Sequence, residues 1–355
     1  MHDHSLPSES TTEKVAQRPP GHAEISRTPL AVLDRFITPT HLHYVRDHLA
    51  GEVRIDPEWR LRIDGLVQFA VALTRPDLER LPMAELPVTM ECAGNGGANS
   101  VIGGIGCIST AVWRGARLRD VLQLAGLQAD GREVVATGVD RGHDPDDPAS
   151  PESYARSIPL EKALDPATLV ALYMNGDVLP PAHGYPARLI VPGWYGMDSV
   201  KWLASLRVIT GPFDGFYAVH RYREKRGPDG ADSGRAVREM KVKALIAYPG
   251  EGDRIPAGAP CRITGAAWSG AAAVTEVLVS VNGGSAWTPA SLEHQRGRFA
   301  WQQWEYAWTP QGAGRAVIIA RAFDGSGEAQ PLAPVDGQVY EANWVQPVAV
   351  EVEPT

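Results

Sequence analysis

One cysteine of this chain stands where a thiol could do chemistry. Cys92 closes the apolar run PVTMEC and is followed at once by the small residues AGNGG. Small residues let a large group come close to the backbone. A thiolate in that position could act as a nucleophile or as a ligand to a soft metal. The third interpretation is an inert cysteine between a strand and a turn.

Cationic side chains recur in two further segments. In the run YVRDH, alternation places Tyr44, Arg46 and His48 on one face of an extended segment. The second set surrounds the apolar run RLIVP and consists of His183, Arg188, Ser199 and Lys201. Guanidinium and ammonium groups gathered around one strand can hold a phosphate. The alternative for both segments is a solvated, charged face.

A tyrosine next to an arginine is the fourth candidate. Tyr154 and Arg156 lie in the run YARSIP, directly after the acidic and Pro-rich loop 140–152. A phenol near a guanidinium can take part in proton transfer, but a structural tyrosine is the alternative.

The elements that must position these residues alternate between strands and helices as far as about residue 235. Hydrophobic periodicity predicts strands at 59–67, 87–92, 133–138 and 188–192, and helices at 76–81 and 116–127. The segment 221–238 is dense in charge, Gly and Pro, and is predicted to be a linker or an excursion over the surface.

The character of the chain changes at Met240. Short β-type runs follow at 243–247, 261–268, 274–281, 299–308, 315–323 and 348–352, and the residues NGG at 282–284 are a hairpin signal. Six of the ten tryptophans lie in this part. Closely spaced short strands with aromatic residues predict a β-sandwich of the immunoglobulin type.

Composition excludes several classes of protein. The chain has 355 residues, is 44% hydrophobic and 21% charged, and carries a net charge of −8, which argues against disorder and against a general nucleic-acid binder. No stretch of 18 apolar residues occurs. Three cysteines without a CxxC pair, Cys92, Cys107 and Cys261, form neither a disulfide framework nor a zinc ribbon. Neither GxSxG, nor a P-loop, nor a GxGxxG dinucleotide fingerprint is present.

Taken in order, the candidate segments resemble the sulfite oxidase family of molybdenum-cofactor enzymes, in particular its bacterial members without a haem domain. The matching stretches include HYVRDHL, ECAGNGG, TAVWRGARLRDVL, YARSIPLEKAL, HGYPARLIVPG, SVKWL and VLVSVNGGSAW. The resemblance implies an α+β fold, with a mixed α/β molybdopterin-binding domain followed by an all-β immunoglobulin-like dimerisation domain. The expected boundaries are a flexible tail at 1–25, the cofactor domain at 26–238 and the sandwich at 239–355.

The resemblance also implies a role for each candidate residue. Cys92 is expected to give its thiolate to molybdenum, and Tyr154 to be the active-site tyrosine. Arg46 and Trp113 are expected to face the substrate. The residues expected to hold the pterin and its phosphate are Tyr44, Arg46, His48, Asp140, His183, Arg188, Ser199 and Lys201.

Two departures concern the substrate. Vertebrate-type enzymes carry two arginines after CAGN, where this chain has Gly96 and Gly97, and Gln302 stands where a further anion-binding arginine is expected. Arg114, Arg156 or an arginine of the run 221–226 could compensate for the missing charges. Without such compensation we expect sulfite, or a related sulfur compound, to be oxidised with weak binding of the anion. The alternatives are reduction of an S-oxide, an N-oxide or nitrate on the same cofactor, a cofactor-free dimeric binding protein and, less favoured, a hydrolase that uses Cys92.

The sequence also gives expectations about partners and compartment. No haem or flavin module is recognised, so electrons are expected to leave to a separate acceptor, either a cytochrome or dioxygen. A homodimer without a membrane span and without nucleic acid is expected. The first 25 residues resemble neither a secretory nor a twin-arginine signal. A cytoplasmic location follows if this is the full precursor, and a periplasmic one if a signal was removed.

Overall fold

The computed structural model describes residues 24–51, 53–96, 104–144, 151, 153–225, 232–335 and 338–354. The predicted tail at 1–25 lies outside these ranges except for its last two residues, and Gly97 also lies outside them. Among the described residues, no helix has the length and apolar character needed to span a membrane.

The first part of the chain is mostly strands with a few short helices. The strands are β1 (Ile25–Ser26), β2 (Val45–Arg46), β3 (Leu61–Gly65), β4 (Val71–Leu73), β5 (Met83–Glu91), β6 (Ile108–Arg117), β7 (Glu133–Arg141), β8 (Ser153–Pro159), β9 (Leu169–Met174), β10 (Asp177–Val178), β11 (Arg188–Ile190), β12 (Leu203–Ile209), β13 (Arg223–Lys225) and β14 (Asp232–Ala236). The α-helices are α1 (Arg75–Glu79), α2 (Leu118–Ala125), α3 (Leu160–Leu164) and α4 (Phe216–Val219). Short 3-10 helices cover Leu30–Asp34, Thr40–Leu42, Pro181–His183 and Gly196–Asp198.

Local sequence explains the two helices that were predicted. Thr74 caps α1 in a reciprocal capping box with Asp77, so the helix begins at Arg75, one residue before the predicted start. Helix α2 buries Leu118, Val121 and Leu122 on one face. It ends at Ala125 and is capped by Gly126, whose φ of 69° favours glycine, so the helix is shorter than the predicted 116–127.

Two five-stranded sheets carry the site. One has the order β10-β9-β6-β5, with β11 also paired to β9, and the other has the order β4-β3-β12-β7-β8. Strands β3 and β12 are parallel, whereas the other pairs within these two sheets are antiparallel. Strand β5 therefore ends next to β6, and its last residue is followed directly by Cys92.

The second part is a β-sandwich. Its strands are β15 (Lys243–Tyr248), β16 (Arg254–Pro256), β17 (Cys261–Trp268), β18 (Val274–Ser280), β19 (Thr288–Pro289), β20 (Ser291–Leu292), β21 (Gln302–Trp308), β22 (Gly314–Asp324) and β23 (Val348–Glu353). They form sheets of order β15-β17-β21-β20 and β16-β23-β22-β18-β19. Ile263 and Trp304 of one sheet share an apolar cluster with Val277 and Ile318 of the other. The predicted class, an α+β domain followed by a β-sandwich, is confirmed.

The two parts share one continuous apolar core. Leu245, Trp268 and Trp301 of the sandwich belong to the same buried cluster as Leu189 and Leu203 of the first part. The indole Nε1 of Trp301 also donates to the Phe36 carbonyl at 2.9 Å.

The segment 221–238 was predicted to be a linker or surface excursion, and the structure corrects this only for its ends, because Gly234 and Arg235 are exposed while Tyr222 and Val237 are buried. Its described residues contain the antiparallel pair β13 and β14. Tyr222, immediately before β13, is buried in the core.

Candidate functional site

Cys92 begins a tight turn at the end of β5. Its backbone N–H donates to the Cys107 carbonyl at 2.9 Å, and the Asn95 N–H donates to the Cys92 carbonyl at 2.9 Å. Cys92 is partly exposed, whereas Cys107 and Cys261 are buried. Burial raises the pKa of the Cys92 thiol, and this rise is opposed by the nearby Arg46 guanidinium and by the backbone N–H of Gly94. The thiol is thus placed beside positive charge.

The candidate residues meet around two adjoining cavities. Both are lined by Arg46, His48, Arg188 and Lys201. The first is also lined by Tyr44, Cys92, His183 and Tyr222. The second is also lined by Asp140, Tyr154 and Ser199. The structure therefore gathers segments that are more than a hundred residues apart in sequence.

Residues in and beside strand β2 line the first cavity. Tyr44, Arg46 and His48 all line it, and so does Val45 between them, so the lining does not follow simple alternation. The buried Nη1 atom of Arg46 has no hydrogen-bond partner in the described part of the chain. Burial, followed by the charge of Arg46, lowers the pKa of His48 well below its usual value, so its imidazole is neutral near pH 7.

A cationic wall is built from β11 and the turn after the helix Gly196–Asp198. The Arg188 guanidinium donates to the carbonyls of Ser199 and His183 at 3.1 and 3.3 Å. Lys201 pairs with Asp47 and donates to the Ala182 carbonyl at 3.2 Å. The backbone thus fixes these cations before any ligand binds, which lowers the entropic cost of binding an anion.

Asp140 lies in the same wall. Burial raises its pKa to about 6, although the Lys201 ammonium acts in the opposite direction. Its Oδ1 atom is buried and has no hydrogen-bond partner among the described residues. Such an acceptor suits a ligand that brings its own N–H or O–H donors.

Trp113 and Tyr154 do not line the cavity that Cys92 lines. Trp113 is fully buried, with its ring 5.3 Å from the Arg188 guanidinium, and lines neither cavity. Tyr154 lines the second cavity, but its hydroxyl donates to the Met197 carbonyl at 2.9 Å. Their expected roles at the substrate stay predictions.

Tyr222 is the residue that sequence reasoning missed. It lines the cavity that Cys92 and Arg46 line, and its hydroxyl forms a hydrogen bond with Nε2 of His48. Burial raises its pKa well above 10, so the phenol keeps its proton. An aromatic residue inside a charged, Gly-rich stretch was the available signal.

The residues considered for substrate charge lie elsewhere. Gln302 lines neither cavity and donates to the Glu293 carbonyl at 2.6 Å. Arg156 forms a buried ion pair with Asp198 at 2.8 Å. Arg114 lies over the Tyr173 ring at 4.5 Å. Gly96 is described and buried, whereas Gly97 lies outside the described residues.

Known proteins match both parts of the chain. Residues 48–217 match the oxidoreductase molybdopterin binding domain, and residues 234–341 match the Mo-co oxidoreductase dimerisation domain. Sulfite oxidase from Gallus gallus is 34% identical over 91% of this chain and 74% of its own length. The mitochondrial sulfite oxidase of Homo sapiens is 36% identical over 91% of this chain, which spans 62% of that protein's length.

Among solved structures, the sulfane dehydrogenase SoxCD from Paracoccus pantotrophus is similar along nearly the whole chain. The match has a TM-score of 0.81 and 29% identity, and covers 99% of this chain and 94% of that one. Two domains in this order, with a cysteine-lined, cationic cavity in the first of them, define a molybdopterin-dependent oxidoreductase. The chain belongs to the sulfite oxidase family of these enzymes.

The donor set fits the family's cofactor. A partly exposed thiol provides the soft sulfur ligand that a high-valent metal prefers. The wall of Arg188, Lys201 and His183 suits a phosphate. Arg46 and Asp140 each have a buried atom without a partner in the described part of the chain, which offers a donor and an acceptor. In the described ranges, no group of three or more His, Cys, Asp and Glu side chains forms a separate metal site. Of the three cysteines, Cys92 is the one that is partly exposed and lines this cavity.

Proposed function

We propose that this protein oxidises sulfite, or a closely related anionic sulfur compound, and passes two electrons to a separate acceptor. The observation that carries the proposal is that Cys92 and Arg46 line the same cavity. Cys92 is the metal's protein ligand in this proposal. The other cavity residues, Tyr44, His48, Asp140, His183, Arg188, Ser199 and Lys201, hold the pterin and its phosphate.

When bound, the molybdenum centre supplies oxygen-atom transfer and takes up the two electrons. The balanced reaction is sulfite plus water giving sulfate, two protons and two electrons. The chain's own part is to bind the anion, orient it and handle protons. Arg46 has a buried N–H group without a partner among the described residues, so its guanidinium can bind the anion.

We assign the proton-handling role to Tyr222 and His48. His48 is neutral near pH 7 because burial and Arg46 lower its pKa. In the tautomer protonated at Nε2, His48 donates to the Tyr222 oxygen, which leaves the phenol proton to point toward the substrate. Tyr154 remains the second candidate for this role, from its place in the adjoining cavity.

Reduction of nitrate, or of an S- or N-oxide, is the second candidate function. A nitrate reductase from Ulva prolifera is 32% identical over 88% of this chain, although the chain spans only 39% of that protein. The same anion-binding arginine serves either direction of oxygen transfer. A cofactor-free binding protein is disfavoured because Cys92, Arg188 and Lys201 are all retained around the cavity.

The test combines metal content with turnover. Protein made in a cofactor-competent host is expected to contain one molybdenum per chain and to oxidise sulfite with ferricyanide or cytochrome c as acceptor. Nitrate, dimethyl sulfoxide and trimethylamine N-oxide with a reduced viologen test the reverse direction. Protein that folds without molybdenum supports the binding-protein alternative. Loaded protein that reduces an oxide and leaves sulfite unchanged favours the reductase.

A further inference from the structure

A buried lysine of the β-sandwich reaches into the cysteine turn of the other domain. Lys243, the first residue of β15, has a side chain only 1% exposed. Its ammonium donates to Glu91 Oε1 at 2.9 Å, to the Asn95 carbonyl at 2.5 Å and to the Ala342 carbonyl at 2.8 Å. All three of its N–H bonds are therefore used.

These contacts bracket Cys92. Glu91 immediately precedes the cysteine and Asn95 closes its turn, so one ammonium ties both ends of the turn to the sandwich. The amide of Asn95 also donates to Glu91 Oε1 at 2.9 Å, which links the two ends directly.

The other carboxylate oxygen of Glu91, Oε2, also contacts the sandwich. Trp268 Nε1 donates to Glu91 Oε2 at 2.9 Å. Trp268 is the residue paired with Lys243 across β15 and β17, so both contacts come from one register position. Asn95 Oδ1 accepts the backbone N–H groups of Gly106 and Cys107 at 2.9 and 3.2 Å, which fixes the turn from the other side.

Stability alone is a weak reason for such an arrangement. The cost of desolvating two buried charges offsets most of their attraction. Replacing such a pair by apolar residues of similar volume therefore often leaves the stability of the fold unchanged. An ammonium next to a thiolate ligand has a second effect, because its charge and its hydrogen bonds act on the groups that orient the sulfur. Groups just outside a metal's ligands commonly change its affinity or activity 10–100-fold.

We propose that Lys243 is a positioning residue for Cys92, through which the sandwich domain sets the geometry and electrostatic surroundings of the metal-binding thiolate. This inference rests on the proposed function, because it takes Cys92 as the protein ligand of molybdenum. It assigns the second domain a role at the reacting centre.

The test uses the holoenzyme carrying Glu91→Gln and Lys243→Met together. Removing both charges avoids the unpaired buried carboxylate that Lys243→Met alone would leave. We expect a shifted thiolate-to-molybdenum absorption band and faster amide exchange at 92–95, the latter also in the apoprotein. We also expect kcat to fall about tenfold while KM for sulfite changes little. The matched control is Ser269→Ala with Asp324→Asn, which removes a buried 2.6 Å hydrogen bond to a carboxylate away from the turn.

The outcomes are distinct. A double variant with the wild-type band, exchange and kcat overturns the proposal, and so does a control that changes them equally. If the double variant folds poorly, Glu91→Gln with Lys243→Gln, which keeps one amide donor, is measured instead, and wild-type values there also overturn it. Failure of the proposed function looks different, because Cys92→Ser would then keep both molybdenum and the absorption band.

Discussion

The hydroxyl of Tyr222 forms a hydrogen bond with Nε2 of His48. The ring of Tyr154 stacks on the same imidazole with the centroids 4.2 Å apart. His48 is therefore held at its edge by one tyrosine and on a face by another. The two phenols differ in access, because Tyr222 lines the cavity with Cys92 while the Tyr154 hydroxyl is bonded to the Met197 carbonyl.

This difference predicts separate effects of two conservative substitutions. Tyr222→Phe removes the phenol from the cavity, so we expect kcat for sulfite to fall about a hundredfold, in the range of lost proton-transfer assistance. Tyr154→Phe loses the bond to Met197, worth about 1 kcal/mol of stability, and we expect a smaller loss of kcat. Steady-state turnover and urea unfolding of both variants provide the comparison. A larger loss of kcat in Tyr154→Phe would reverse the assignment.

Substitution of each cysteine tests the metal ligand. Cys92→Ser replaces a soft thiolate by a hydroxyl that is far harder to deprotonate, so activity is expected to fall by orders of magnitude while the fold persists. Cys107→Ser and Cys261→Ser are the controls, since both residues are buried. Absorption spectra of the loaded proteins measure the thiolate-to-metal band. Loss of that band in Cys107→Ser but not in Cys92→Ser would contradict the assignment.

Arg46 is expected to dominate binding of the anion. Arg46→Lys keeps the charge but loses the forked donor geometry, so KM for sulfite should rise about tenfold or more, as expected for a charge-assisted hydrogen bond worth about 1.5–3 kcal/mol. Wild type is expected to have a high KM and to be inhibited by sulfate or chloride, and the variant to be less sensitive to both. Saturation of wild type at low micromolar sulfite would contradict this view of the cavity.

Asp140 predicts a pH dependence of apoprotein stability. Its pKa is raised to about 6 from 3.8 by burial, so between these values the unfolded carboxyl ionises while the folded one stays protonated. This destabilises the fold progressively as pH rises through that window, by up to about 3 kcal/mol above pH 6.

The matched variant is Asp140→Asn, which is neutral at every pH. Its free energy of unfolding relative to wild type should be least favourable at pH 4 and rise by that amount toward pH 6, then level off. Urea unfolding of the two apoproteins from pH 4 to 8 measures this. A flat difference across the range would show that the carboxyl titrates normally.

The match to a dimerisation domain at 234–341 predicts a homodimer. Sedimentation at micromolar concentration should give about twice the chain mass of 38.3 kDa. A monomer at that concentration would contradict the prediction.

The sequence predicted most of the strands because their patterns are local. The runs at 243–247, 261–268 and 274–281 correspond closely to β15, β17 and β18, and hydrophobic alternation set their positions. The extent of β5 was underestimated, since it begins at Met83 rather than 87, before Pro87, and pairs with β6 along its full length. The start of β5 is set by its pairing with β6, which the local sequence pattern does not reveal.

Candidate site residues were found where they lie in or next to recognisable sequence motifs, and one was missed where no such motif surrounds it. Arg188 and Lys201 were found because they flank a recognisable apolar strand. Tyr222 was missed because the surrounding Arg, Lys, Gly and Pro residues suggested a surface segment, whereas the fold turns this residue inward against His48. Arg156 was considered for the substrate, but its partner Asp198 lies 42 positions away and could not be inferred from spacing.

The tie between Lys243 and Glu91 spans 152 positions of sequence. Residues 91–95 are therefore synthesised well before Lys243, the residue that contacts them. We expect the turn to reach its final form only after the sandwich has been synthesised and has packed against it. We therefore expect cofactor insertion to follow translation, and the molybdenum content of a truncated or misfolded chain to fall when the C-terminal half is incomplete.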